Sequence, residues 1–123
     1  MIYIDANAIL RYILNDNYEM ANKVRDLLNE AKVFIRFEVL AEVIYVLNKV
    51  YSLPRNEIVG GINIFLSEQN VETESKDVLA LALEKYAMFN IDFVDSILYS
   101  FHALYGFQVF TFDQKLISMI DRL

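Results

Sequence analysis

The sequence predicts an α/β domain organised on a mainly parallel sheet, and three observations carry that expectation. Short apolar segments of strand length, Ile2–Ile4, Val33–Ile35 and Gln108–Thr111, with a weaker one near Val71–Glu72, punctuate the chain. Between them lie segments with helical periodicity, too long and too rich in Ala, Leu, Glu and Lys for strands. Strands that alternate with helices need crossover connections, hence parallel pairing with helices over the sheet. With 123 residues, 56% of them hydrophobic, the chain can bury about two-thirds of its unfolded surface in one core. No Gly/Ser/Pro-rich linker, repeat or low-complexity tract interrupts it, so a single domain over residues 1–123 is expected.

The expected helices are, in order, Ala6–Leu14, Tyr18–Ala31, Phe37–Tyr51, Pro54–Leu66, Lys76–Phe89, Phe93–Tyr105 and Asp113–Asp121. Several ends have a local cause. Pro54 suits a first helical turn, where a missing N–H is harmless. Ser75 can accept a first-turn N–H and cap the helix from Lys76. Gly106 suits the left-handed position that closes a helix. The Gly60-Gly61 pair inside a helical stretch costs about 2 kcal/mol relative to alanines, and either close helix packing or a kink would account for it.

Composition removes several chemistries. Without Cys there is no thiolate nucleophile, disulfide or cysteine-ligated metal, and a reduced compartment is the simplest home. One His cannot form a histidine metal pair. Three Gly, two of them adjacent, cannot build the glycine-rich loops that cradle nucleotide phosphates. The longest aliphatic run, Val78 to Leu83, is far short of the ~20 residues a membrane span needs. The amino terminus lacks the pattern of a secretory signal, and a cytoplasmic protein without membrane contact is expected.

Carboxylate is what remains abundant: 17 Asp and Glu against 11 Lys and Arg, a net charge of −6. Ligands of parallel α/β sheets collect at the carboxyl ends of the strands. Asp5 follows the first expected strand and Asp113 the last, although each also precedes a helix and is explained as its N-cap. Glu42 lies mid-helix on a narrow polar stripe with Glu38, Tyr45 and Lys49, which is equally a solvated face. Asp92 is the natural cap of the helix at Phe93, which leaves Asp95 for chemistry. Taken together, Asp5, Glu42, Asp95 and Asp113 could hold one divalent cation. Oxygen ligands without His or Cys suit Mg²⁺ or Mn²⁺, which polarises a phosphoryl centre and acidifies water. The chemistry implied is phosphodiester hydrolysis.

Four fragments in order carry a resemblance: Ile4-Asp5-Ala6-Asn7 with Ile9-Leu10-Arg11-Tyr12, Val39-Leu40-Ala41-Glu42-Val43, Phe93-Val94-Asp95-Ser96-Ile97-Leu98, and Thr111-Phe112-Asp113. The chain resembles PIN-domain ribonucleases over essentially its whole length, and its compact size resembles the VapC toxins of toxin–antitoxin pairs. The resemblance implies a Rossmann-like PIN domain with four to five short strands flanked by about seven helices, and a metal-dependent endoribonuclease. It implies Asp5, Asp95 and Asp113 as ligands of Mg²⁺ or Mn²⁺, Glu42 as a fourth catalytic carboxylate, Asn7 steadying Asp5, and Thr111 as a supporting hydroxyl. An antitoxin partner and a homodimer follow from the same resemblance, with the Pro54–Leu66 helix a candidate dimer surface. Ala6 departs from it, standing where the family pattern has Thr or Ser. Two other readings stay open: a PIN nuclease of RNA processing without a toxic role, and a weakened PIN-fold binding module.

Arg11 and Arg36 are candidates to meet a phosphate, with a surface ion pair as the plainer account. His102 has no catalytic partner in sequence and reads as a packed or partly exposed side chain. The eight Tyr and nine Phe are read as core, although aromatic rings can also stack on single-stranded bases. Without the four nominated carboxylates, 13 acidic residues face 11 basic ones, a balance of −2. The acidity therefore belongs mostly to the expected metal centre. Without a metal or a basic partner surface, such a chain should bind RNA poorly.

Overall fold

A computed structural model describes all residues, Met1 to Leu123. The backbone forms two compact units, Met1–Glu74 and Ser75–Leu123.

The first unit runs β1 (Ile2–Tyr3), α1 (Ala6–Leu14), α2 (Tyr18–Glu30), β2 (Val33–Ile35), α3 (Phe37–Lys49), α4 (Arg55–Leu66) and β3 (Val71–Thr73). Its sheet has the order β1-β2-β3 with both pairs parallel, Ile2 opposite Val33 and Val33 opposite Val71. As the central strand, β2 is buried at Val33 and Ile35. Parallel pairing requires a long crossover between strands, and here helices supply each one. Within the unit α1 packs on α2, α3 and α4. The Tyr12 and Phe65 rings meet edge to face at 4.9 Å between α1 and α4. Tyr12 also donates to Glu68 at 2.7 Å. Burial, then the Glu68 hydrogen bond and charge, push its phenol up to about 12.

The second unit is helical: α5 (Lys76–Met88), α6 (Phe93–Tyr105) and α7 (Gln114–Asp121). Its core gathers Ile91, Tyr99 and Leu116, with Leu81, Ala103, Val109, Met119 and Ile120 packed against them. Ser96 and Ser100 on α6 are fully buried, and their hydroxyls donate to the helix's own carbonyls at Phe93 (2.6 Å) and Ser96 (2.7 Å). That satisfies both groups without an outside partner.

The seven helices lie where the sequence places them, within two residues at each end. Ser75 accepts the Val78 N–H, and Gly106 closes α6 at φ 73°. Pro54 is one place earlier than expected, at the cap position, with α4 beginning at Arg55. The regular strands seen are three where four to five are expected, and Gln108–Thr111 lies outside them. The other regular elements of its unit are all helices, and alternation alone cannot supply a strand to pair with. Phe110 and Phe112 in and beside that segment are 90% and 84% exposed.

The glycine pair resolves into two different positions. α4 continues through both. A Cβ on Gly61 would meet Ile13 Cγ2 of α1 at 3.1 Å, whereas one on Gly60 would meet nothing. Close packing explains Gly61 alone. Gly60→Ala should therefore stabilise the protein by about 0.5–1 kcal/mol in urea unfolding, through the reduced entropy of the unfolded chain. Gly61→Ala should gain less, because Ile13 must yield.

Candidate functional site

Asp5 begins α1, its Oδ1 accepting the Ala8 N–H at 2.9 Å. Asp92 begins α6 by accepting the Val94 N–H at 3.2 Å, and Asp113 begins α7 by accepting the Leu116 N–H at 2.9 Å. The capping account thus holds for all three, and it does not exclude chemistry. Each cap uses one carboxylate oxygen and leaves the other oxygen available to a cation. Thr111 fixes the approach to Asp113, its Oγ1 accepting the Asp113 N–H at 3.0 Å.

The second unit brings Asp92, Asp95 and Asp113 to one cleft of about 320 Å³, lined also by Asn90, Gln114 and Lys115. Asp95 is half-buried there. Its carboxyl lies above the ordinary value, first because burial disfavours the charged form and then because the charges of Asp113 and Asp92 oppose it. Lys115 holds its place in the same cleft by donating from Nζ to the Asn90 carbonyl at 3.0 Å.

In the first unit Asp5 follows β1 by two residues, and Glu42 lies in the second turn of α3, which follows β2. Both therefore belong to the segments that leave the carboxyl ends of parallel strands. Glu42 is exposed with the rest of its stripe, Glu38, Tyr45 and Lys49. Asn7 is exposed in the first turn of α1 and makes no hydrogen bond to Asp5. Ala6 is buried in that turn. Arg11 is taken by Asp16, its Nη1 lying 2.8 and 3.0 Å from the two carboxylate oxygens, while its buried Nε has no partner. Arg36 pairs with Glu38, and that hydrogen bond raises its guanidinium further above the ordinary value. The ion-pair account thus describes both arginines. His102 Nδ1 lies 2.8 Å from the Phe107 carbonyl, a contact that joins α6 to the turn beyond it.

A divalent cation fits the chemistry of this donor set. The second unit offers only hard oxygen ligands on one cleft, and mutual repulsion between carboxylates is what a cation relieves. In neither unit do three acidic or histidine side chains gather closely enough to cage an ion. One or two carboxylates completed by water and phosphate is the usual manner of holding Mg²⁺. Lys115 and Asp92 were not among the nominated site residues. Asp92 had been accounted for as a cap, and Lys115 had only its place two residues after Asp113 as a signal.

A three-stranded parallel sheet joined through helices, with aspartates at the entrances of α1, α6 and α7, defines an α/β protein whose carboxylates gather at helix starts. The PIN-domain family model matches residues 2–122, and the chain belongs to that family. Nucleases of the family generally use divalent metal ions. Among solved structures, the chain is similar to the crystal structure of Mycobacterium tuberculosis VapC20, described as a sarcin–ricin loop cleaving toxin. The two share 19% identity over 96% of this chain and 94% of the other, with a TM-score of 0.43. No curated protein matches the sequence. No helix is long and apolar enough to cross a membrane.

The raised Asp95 carboxyl has a definite pH signature. Between the ordinary carboxyl value and the raised one, the folded chain keeps a proton that the unfolded chain has released. Stability therefore falls as pH rises through that window and stays lower above it. Asp95→Asn should melt at a higher temperature than the parent at pH 7 without metal, and the gap should close below about pH 4. Thermal unfolding across pH checks both.

Proposed function

We propose that this protein is a metal-dependent endoribonuclease that hydrolyses RNA phosphodiester bonds, acting as the toxin of a toxin–antitoxin pair. Residues 1–123 are read as one functional domain, with Asp5, Glu42, Asp95 and Asp113 as its catalytic carboxylates. The observation that carries the reading is membership of the PIN-domain family, matched over residues 2–122. The cleft shared by Asp92, Asp95 and Asp113 supports it from the chain's own chemistry.

Asp5, Asp95 and Asp113 would hold Mg²⁺ or Mn²⁺. When bound, the ion supplies an acidified water and a positive centre against the charge that develops on the phosphoryl oxygens. The residues supply the rest. Asp95, poorly solvated and opposed by like charges, has the most to gain from a cation and the strongest tendency to keep a proton without one. Asp113 is steadied from two sides, by Thr111 and by the first turn of α7. Glu42, exposed and without a hydrogen bond or ion pair, is free to accept a proton from the attacking water. Asn7 would steady Asp5, and Arg11 could reach a phosphate only by exchanging Asp16. The toxin assignment, an antitoxin partner, a homodimer and a cytoplasmic setting rest on the resemblance in motif and size.

Cleavage of a labelled RNA with and without Mn²⁺ tests the reading. Asp5→Asn and Asp95→Asn should each lower metal-dependent cleavage at least about a hundredfold while remaining folded, since Asn caps α1 as well as Asp and the α6 cap at Asp92 is untouched. Equal cleavage by both variants and the parent would remove the proposed site. Saturating Mn²⁺ should also raise the melting temperature of the parent more than that of Asp95→Asn, because a ligand stabilises the state that binds it. Equal shifts would place the ion elsewhere.

A further inference from the structure

Beside the acidic cleft the second unit carries a groove in two connected parts. The nearer cavity, about 310 Å³, shares Asn90, Ile91, Gln114 and Lys115 with the cleft and extends to Phe89, Met119 and Arg122. The farther one, about 180 Å³, shares Phe89, Met119 and Arg122 and adds Lys85 and Tyr99. Three of the four Lys and Arg side chains of Ser75–Leu123, namely Lys85, Lys115 and Arg122, therefore line one path leading away from Asp95 and Asp113. In a chain whose 17 acidic residues outnumber its 11 Lys and Arg, this concentration carries weight.

The path is amphipathic as well as basic. Lys85 Nζ lies 5.6 Å from the Phe89 ring centroid and 5.8 Å from that of Tyr99, which holds the ammonium among aromatic rings. Its acidic neighbour Glu84 stands 3.9 Å away, at the limit of an ion pair. Phe89 remains 39% exposed, and Arg122, exposed at the end of α7, has no hydrogen bond or ion pair. Lys115 uses one of its three donors on Asn90.

We propose that this groove is a binding subsite for single-stranded RNA, seating a nucleotide next to the bond that is cut. Its ring surface at Phe89 receives an unstacked base, and Lys115, Arg122 and Lys85 receive the phosphates that flank it. The size excludes a duplex: the larger part lies at the lower end of small-ligand pockets, ~300–1,000 Å³, room for one nucleotide. An unpaired base can splay onto an aromatic ring, whereas a base in an A-form helix cannot. The subsite rests on the ribonuclease reading for its ligand class, and it places the chain's attraction for RNA beside the carboxylates instead of upon them.

The test measures anisotropy of a fluorescein-labelled uridylate octamer with the non-cleaving Asp95→Asn protein, then steady-state cleavage in the parent background. The Lys85→Gln/Arg122→Gln pair should weaken binding on the order of tenfold at moderate salt. Its log–log salt slope should flatten by about 1.4, two contacts at ~0.7 each for a single strand. Phe89→Leu, which keeps an apolar side chain but removes the ring, should weaken binding about fivefold or more with an unchanged salt slope. In the cleaving background both should raise KM with little change in kcat.

Octamer binding and KM equal to the parent's in both folded variants would overturn the subsite, leaving the groove to a protein partner or to no ligand. Uridine monophosphate that competes at the octamer's own affinity would overturn it in favour of a free-nucleotide pocket. Absence of saturable octamer binding would overturn it outright. Should the groove variants lose binding while the parent cleaves nothing with Mg²⁺ or Mn²⁺, the nuclease reading fails and the groove stands as a single-stranded RNA site with no bond cut beside it. Cleavage with an unaffected KM is the reverse case.

Discussion

A side-chain oxygen that accepts a backbone N–H two or three residues ahead starts five of the seven helices: Asp5, Asn17, Ser75, Asp92 and Asp113. In a chain whose strands are two or three residues long, these starting points fix where each helix begins and which way its first turn faces. Three of the caps are carboxylates, so the same bond that sets α1, α6 and α7 also restrains an acidic group at each helix entrance. Capping and the proposed chemistry compete for no atom, because a carboxylate has two oxygens.

The second unit shows what this restraint does to charge. Asp92 and Asp113 are held in place by their helices, and Asp95 follows three residues into α6, so three acidic groups share a cleft that none can easily leave. Burial and repulsion then act on Asp95 together. An arrangement that costs stability in the absence of a cation is retained by the fold, the kind of local conflict that accompanies functional sites. The first unit holds its acids differently. Glu42 is solvated on an exposed stripe and Asp5 is occupied chiefly with its helix.

Helix boundaries were readable because their causes are local. Ser75 before Lys76, Asp92 before Phe93 and Gly106 after Tyr105 each act within one turn of the chain, and all three behave as their chemistry predicts. Asp5 and Asp113 were legible for the same reason, as residues at the starts of helices. Pairing is not local, and the Val-Phe-Thr-Phe stretch illustrates the difference. Its composition favours strand, but a ladder needs a neighbouring backbone that composition cannot supply. The groove was invisible for a related reason. Lys85, Phe89, Lys115 and Arg122 come from two helices and their ends, with nothing in sequence to link them. The spacing of Lys85 to Phe89, and of Lys115 to Arg122, was the only trace: four and seven residues apart, with Phe89 and Arg122 each one residue past the end of its helix.

The exposed phenyl rings of Phe110 and Phe112 meet at 5.4 Å, edge to face, on a stretch from Gln108 to Phe112 that carries no charge and no proline. A short uncharged segment of high strand propensity, unpaired along its backbone, is the template on which identical chains stack. These five residues therefore work against the solubility that a net charge of −6 favours. Phe110→Lys would set a gatekeeper charge in the middle of that stretch, and it would do so three residues ahead of Asp113, beside the proposed site.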